Sequence, residues 1–246
     1  MAMAGVTMSA GAASATVIYS DNFVQASGTE LNGQPVQASA AYAGGTANAV
    51  WAGSTTITTT GSGAYEKNGG NYIYLPFTPQ QNYIYTLTAT ISITASTPEW
   101  DALGFASTSP LITGYGSLYS WGLVSGTGSN QPQFFPGVGT AGGPIYFGTT
   151  SDNGKQTLII TLNTMSAKWT SSAVIQGDLT NPSTTITYST PPAIKNVGFG
   201  YNYDGTISAF SLTATAPEPA TLGLLAVGAL GLLLLGRKRE NRLPRG

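Results

Sequence analysis

The 246-residue chain has no cysteine and no histidine, and only 8 % of its residues are charged. Without cysteine there are no disulfides and no thiol nucleophiles. Without cysteine and histidine together, zinc sites built on them, haem ligation and a Ser-His-Asp triad are all excluded. A chain of this size builds a core without covalent staples, so the missing cysteines fit an exported protein. Cations are scarce over most of the length. Between residues 16 and 216, four lysines (Lys67, Lys155, Lys168 and Lys195) stand against eight acids, a net charge of −4. Nucleic-acid partners need a basic surface, and this stretch has none. A sustained helical period is also missing before Pro217. Glycine, serine, threonine, alanine and tyrosine are abundant instead, and aromatics reach 10 %. Low net charge with many aromatics opposes disorder and favours a folded, β-rich domain.

The β pattern runs from Thr16 to about Thr215. Its clearest segment is Tyr83 to Thr94. There Tyr83, Tyr85, Leu87, Ala89, Ile91 and Ile93 alternate with Ile84, Thr86, Thr88, Thr90, Ser92 and Thr94, the period of a half-buried strand. Further strands are predicted at Tyr72–Phe77, Trp100–Ala106, Leu118–Val124, Thr157–Asn163, Thr184–Ser189, Ile194–Tyr201 and Thr206–Ala214. Breakers separate them: Asn68-Gly69-Gly70, Gly126 to Gln133, Gly137 to Pro144, Asp152-Asn153-Gly154, Pro191-Pro192 and Asp204-Gly205. About a dozen short strands at regular spacing predict one antiparallel two-sheet sandwich over residues 16–215. Trp51, Trp100, Trp121 and Trp169 are the expected large core fillers.

The two ends read differently. Met1 to Ala15 is small and mildly apolar, and Ala13-Ser14-Ala15 has the pattern that precedes signal-peptidase cleavage. No Lys or Arg occurs before Lys67, so residues 1–15 read as the remnant of a signal peptide whose start lies upstream; a disordered leader is the alternative. At the other end, Pro217-Glu218-Pro219 is followed by an apolar run over residues 220–236 and then by Arg237-Lys238-Arg239. The run is 17 residues without charge or proline, roughly 25 Å as a helix at about 1.5 Å per residue. That is the short end of a membrane span. Five of the nine basic residues lie after Gly236, and such a cluster stays in the cytoplasm. The expectation is a single transmembrane helix over 220–236, stopped by Arg237, Lys238 and Arg239, with everything before Pro217 outside.

This three-part layout, covering residues 216–246, closely resembles the PEP-CTERM sorting signal of Gram-negative bacteria. The resemblance implies a transient anchor, recognised and processed by an exosortase-type membrane protease for delivery to the cell surface or extracellular matrix. Pro217, Glu218 and Pro219 are then a motif acted upon rather than a catalytic site. Proline holds such a motif extended, the form in which a protease binds its substrate.

A second resemblance spans the sandwich. Tyr19-Ser20-Asp21-Asn22-Phe23 with Leu31-Asn32-Gly33, the stretch Trp100–Ala106, and Val197-Gly198-Phe199-Gly200-Tyr201 with Ile207–Leu212 are similar to surface proteins with a concanavalin A-like (laminin G-like) jelly roll. In such domains a "VGFG" strand leads through a turn, here Asp204-Gly205, to a last strand beside the first.

Three chemistries compete for the domain. Glu99 and Asp101 sit two apart, so they share a strand face, and a retaining glycosidase needs two carboxylates ~5–5.5 Å apart. The third acid expected on such a strand is absent, because residues 102–109 hold no Asp or Glu. Calcium needs hard oxygen ligands; Asp21, Asn22, Asp152, Asn153 and Asp204 are the loop candidates, with ordinary Asx turns as the competing reading. Glycan binding needs exposed aromatics, for which Tyr115, Tyr119, Trp121, Tyr201 and Tyr203 are candidates against a core or cross-strand role. The sequence favours a non-enzymatic exported surface or matrix protein without cofactor or metal. Its expected partners are exosortase, the membrane and exopolysaccharide. A carbohydrate-binding module is the alternative, followed by a glycoside hydrolase.

Overall fold

The computed structural model describes residues 14–66, 71–93, 100–107, 118–125, 132–137, 145–148, 154–178, 182–183, 185–202 and 205–217. Residues 1–13, Glu99, Glu218, Pro219, the 220–236 run and Arg237 to Arg239 lie outside these, so the signal-peptide, span and stop expectations do too. Among the described residues no helix is long and apolar enough to cross a membrane.

Strand formation follows the alternation. In chain order the strands are β1 (Ala15–Asp21), β2 (Ala38–Ser39), β3 (Ala52–Gly53), β4 (Thr58–Thr59), β5 (Ala64–Tyr65), β6 (Asn71–Pro76), β7 (Ile84–Ile93), β8 (Trp100–Ala106), β9 (Leu118–Ser125), β10 (Gln133–Gly137), β11 (Ile145–Tyr146), β12 (Gly154–Asn163), β13 (Thr170–Ile175), β14 (Ile186–Thr187), β15 (Asn196–Asn202) and β16 (Thr206–Thr215). In β7, Tyr85, Leu87, Ala89 and Ile91 are fully buried while Thr86, Thr88 and Ser92 keep partial exposure. The threonine face satisfies both water and the β backbone.

The strands form two antiparallel sheets in a jelly-roll sandwich. One runs β14-β13-β12-β7-β16-β1-β2, with β4 and β5 attached beside β16; the other runs β11-β10-β9-β8-β15-β6-β3. The last strand returns beside the first, with Ala15 opposite Thr215 and Asp21 opposite Phe210. Facing residues of the two sheets, among them Ile18, Leu87, Leu103, Phe105, Phe199 and Leu212, make one continuous core. Within it Trp51 packs on Phe199 and Phe210, with ring centroids 5.0 and 5.1 Å away.

Three expectations need correction. Strand β1, the two-residue strands β2 to β5 and β11, and strands β10 and β13 lie outside the segments predicted from sequence. Glycine-rich breakers flank β10 and hide a five-residue strand, and β13 alternates through the small residues Ser171 and Ala173, which give little hydrophobic signal. The expected strand at 184–189 shrinks to two residues, β14. The four tryptophans also divide. Trp51 and Trp169 fill the core between the sheets, but Trp121 and Trp100 belong to a second, smaller cluster, and Trp100 is only partly buried.

Candidate functional site

The second cluster lies on the outer face of the seven-stranded sheet. Period-two alternation determines which side chains reach it. In β8, Asp101, Leu103 and Phe105 face the core, so Trp100, Ala102, Gly104 and Ala106 face out. The register carries this face sideways: Trp100 pairs with Asn202, Ala102 with Gly200, Gly104 with Gly198 and Ala106 with Asn196. In turn Gly200 pairs with Tyr72, Gly198 with Tyr74 and Asn196 with Pro76, and Tyr74 pairs with Ala52. On the far side Trp121 and its partner Phe135 complete the row.

Small residues make room for the rings. A Cβ at Gly104 would sit 2.8 Å from Trp121 Cδ1, and one at Gly200 would run into the Tyr72 ring. Glycines on two neighbouring strands thus form a shallow track on which aromatic side chains lie. Trp121 is 2 % exposed and packed with Ala102 and Ala106, while Tyr72, Trp100 and Phe135 pack around it and remain partly exposed. The Tyr72 ring meets Trp121 edge-on at 5.6 Å and Trp100 at 6.2 Å, tilted by 43°. The Trp121 Nε1–H donates to the Phe105 carbonyl at 2.5 Å, which fixes the indole at the centre. Beyond Phe135, Tyr146 on the edge strand β11 is 56 % exposed.

The residues singled out from sequence fare unevenly. Asp101 faces the core: it is fully buried, and its carboxylate lies against Gly205, where no Cβ would fit. A carboxylate sealed there cannot reach a glycan outside, and its proposed partner Glu99 lies outside the described residues. Asp21 is not a calcium ligand in waiting. Its Oδ1 accepts the Phe23 N–H at 2.8 Å, an Asx turn, and its Oδ2 accepts the Trp51 Nε1–H at 2.8 Å. Burial pushes its carboxyl above the ordinary range, against the pull of those hydrogen bonds. Asn22 is exposed, while Asp152, Asn153 and Asp204 lie outside the described residues. Among the described residues no three potential metal ligands cluster.

Among the glycan candidates whose side chains are described, Trp121 lies on the outer face and Tyr119 does not. Tyr119 packs against the main core, 6.4 Å from the Tyr188 ring. Tyr201 pairs with Asp101 in the register, and Tyr115 and Tyr203 are outside the described residues. Sequence reasoning missed Tyr72 and Tyr74, although the signal was present. Tyr72 and Tyr74 alternate with Ile73 and Leu75, and Gly198 and Gly200 alternate with Val197 and Phe199. Two tyrosines and two glycines are thereby committed to one face.

Comparison with known proteins fits this architecture. A solved endo-1,3-β-glucanase from Streptomyces sioyaensis superposes with a TM-score of 0.53 at 14 % identity, covering 86 % of this chain and all of the glucanase. The Lotus tetragonolobus seed lectin is a looser match, at TM-score 0.43 and 11 % identity over 79 % of this chain and all of the lectin. The fold shared with the glucanase is the antiparallel two-sheet jelly roll. Residues 215–239 match the PEP-CTERM protein-sorting motif. The chain thus carries that motif directly after β16, which implies an exported protein processed at the membrane by exosortase. No curated protein matches the chain in sequence.

Proposed function

We propose that the protein is a non-catalytic surface module that holds neutral glycan on the outer face of its seven-stranded sheet. The observation that carries this reading is the glycine-backed aromatic row Tyr72, Trp100, Trp121 and Phe135, half-open to solvent on a face separate from the core. Sugar rings present C–H faces that pack on aromatic surfaces, and an aromatic body with a polar tip serves both parts of a sugar. The burial of Asp101 supports binding without hydrolysis. The sorting motif supplies the setting: the tail, with Pro217, Glu218 and Pro219 as the recognised residues and Arg237, Lys238 and Arg239 as the stop, delivers the domain to the surface. Exopolysaccharide is the natural partner there.

The test is a glycan-array screen of the secreted domain, wild type against Trp100→Ala. Binding of neutral glycans that the variant loses supports the reading; an array without hits removes it.

A further inference from the structure

The register defines one end of the sandwich. Ala15, Thr215, Ile84, Asn163 and Thr170 pair in a continuous row across the nine-stranded sheet, and the sorting tail leaves from this row. The turn 164–169 joins β12 to β13 here, and residues 77–83 lead from β6 into β7. The other sheet reaches the same end. The Phe77 N–H donates to the Lys195 carbonyl at 2.9 Å, just before β15. The Phe77 ring meets that of Tyr85, one residue beyond Ile84, at 5.2 Å.

Charge is divided between the two ends. Residues 40–45, 77–83, 164–169 and 188–195, which close this end, contain no Asp or Glu and carry two exposed lysines, Lys168 and Lys195. Every acid among the described residues (Asp21, Glu30, Glu66, Asp101 and Asp178) lies toward the opposite end, as does Lys155. Glu30, for example, bridges to Thr58, whose strand joins the start of β16 through β5.

The acid-free end also shows apolar surface. Met165 is 40 % exposed. Tyr42 and Tyr83, both partly exposed, stand edge to face with ring centroids 5.7 Å apart. The two turns beneath them are clamped together. The Tyr83 N–H donates to Thr164 Oγ1 at 3.0 Å, the Thr164 N–H to the Tyr83 carbonyl at 2.9 Å, and Gln81 Nε2 to the Ser166 carbonyl at 3.0 Å.

Four residues, Ala216 to Pro219, separate Thr215 from the apolar run, and Glu218 is the one acid among them. Fully extended they reach about 14 Å. We infer that, while the tail is intact, this end of the sandwich docks on the anionic lipid surface of the membrane that holds the tail. Lys168 and Lys195 meet lipid phosphates, and Tyr42, Tyr83 and Met165 sit at headgroup level. The inference goes beyond the glycan reading and rests on reading residues 220–236 as a membrane span. Tyrosine suits the headgroup layer because its ring is apolar and its hydroxyl stays wet. Each cation near an anionic leaflet strengthens attachment about fivefold. A tether this short holds the end beside the lipid at an effective concentration of about millimolar, so two lysines suffice.

The chain has no cysteine, so a single introduced thiol can be labelled. The full-length chain is prepared as Met165→Cys, or as Val24→Cys, a position 63 % exposed beyond β1 and away from the row. Each is labelled with a thiol-reactive fluorophore and reconstituted into vesicles of phosphatidylcholine, with or without phosphatidylglycerol. Flotation with the vesicles reports the span; quenching by acrylamide, which is uncharged, reports docking. The expected result is that the label at position 165 is quenched severalfold less when phosphatidylglycerol is present, while the label at position 24 is quenched equally in both lipids. Adding Lys168→Gln and Lys195→Gln to Met165→Cys restores full quenching, and so does high salt, which screens exposed charges. Chains that float yet are quenched equally in both lipids at position 165 overturn the docking and leave the span reading intact. Shielding that survives loss of both lysines overturns it too. Chains that do not float remove the span reading and the docking with it.

Discussion

The Asp101 carboxylate rests against Gly205, at the turn that leads into the last strand, so closely that no Cβ fits at position 205. The contact joins β8 in one sheet to the start of β16 in the other. Gly205→Ala would force the carboxylate or the turn to move. The expected loss is about 1–3 kcal/mol, the usual range for overpacking, read as a lower urea midpoint with an unchanged slope. Glycan binding should survive in the folded fraction, because the contact lies behind the sheet that carries the aromatic row.

Trp51 and Asp21 form a second internal tie. The indole N–H occupies one carboxylate oxygen while Phe23 occupies the other. Trp51→Phe keeps an aromatic ring among Phe23, Phe199 and Phe210 but leaves Asp21 Oδ2 without its donor. A buried acceptor without its donor costs about 1–3 kcal/mol, more when it is charged. The variant should therefore lose at least about 2 kcal/mol. Asp21→Asn in the Trp51→Phe background should recover part of that loss, measured by denaturant unfolding of all four members of the cycle.

Tyr188 gives the domain an alkaline limit. Its hydroxyl lies 2.7 Å from Ser120 Oγ inside the protein, and burial raises its ionisation from 10.0 to about 12. The folded state holds this proton more tightly than the unfolded chain. The stabilisation is complete below pH 10 and disappears as pH rises from 10.0 to about 12. At most this amounts to roughly 3 kcal/mol. Burial raises Tyr19 and Tyr85 as well, so the whole domain should weaken across that window. In Tyr188→Phe the fall in melting temperature between pH 9.5 and 11.5 should be shallower than in wild type; an identical slope would contradict the assignment.

Ala15 and Thr215 are cross-strand partners, and β16 is paired on both sides to its end, since Thr215 also faces Ile84. The first and last residues of the sandwich are therefore held in its ladder. Limited proteolysis with a non-specific protease should converge on a fragment ending close to Ala15 and Thr215, identified by intact mass. Trimming into β1 or β16 before any other cut would show that the ladder frays.

The alternation in Tyr83–Thr94, a local and strongly periodic signal, made the central strand and its buried face readable from sequence, whereas a last strand beside the first was implied only by the resemblance of Val197 to Leu212 to concanavalin A-like domains. Strand β10 was lost because its flanking glycines outweighed five residues of pattern. Trp100 and Trp121 read as core residues in the sequence because large apolar side chains usually belong there, and only the register shows that they face outward. Likewise the parity that turns Asp101 inward became clear only once Leu103 and Phe105 were seen to face the other sheet.

The central claim is that the outer face holds neutral glycan. Affinity electrophoresis of the secreted domain through gels containing a neutral polysaccharide or an acidic one tests it most directly, with the double variant Tyr72→Ala/Trp100→Ala beside wild type. The account predicts that wild type is retarded in at least one neutral gel and not in acidic gels, and that the double variant migrates freely while keeping its far-UV spectrum. Free migration of wild type in every gel, or equal retardation of both proteins, would contradict it.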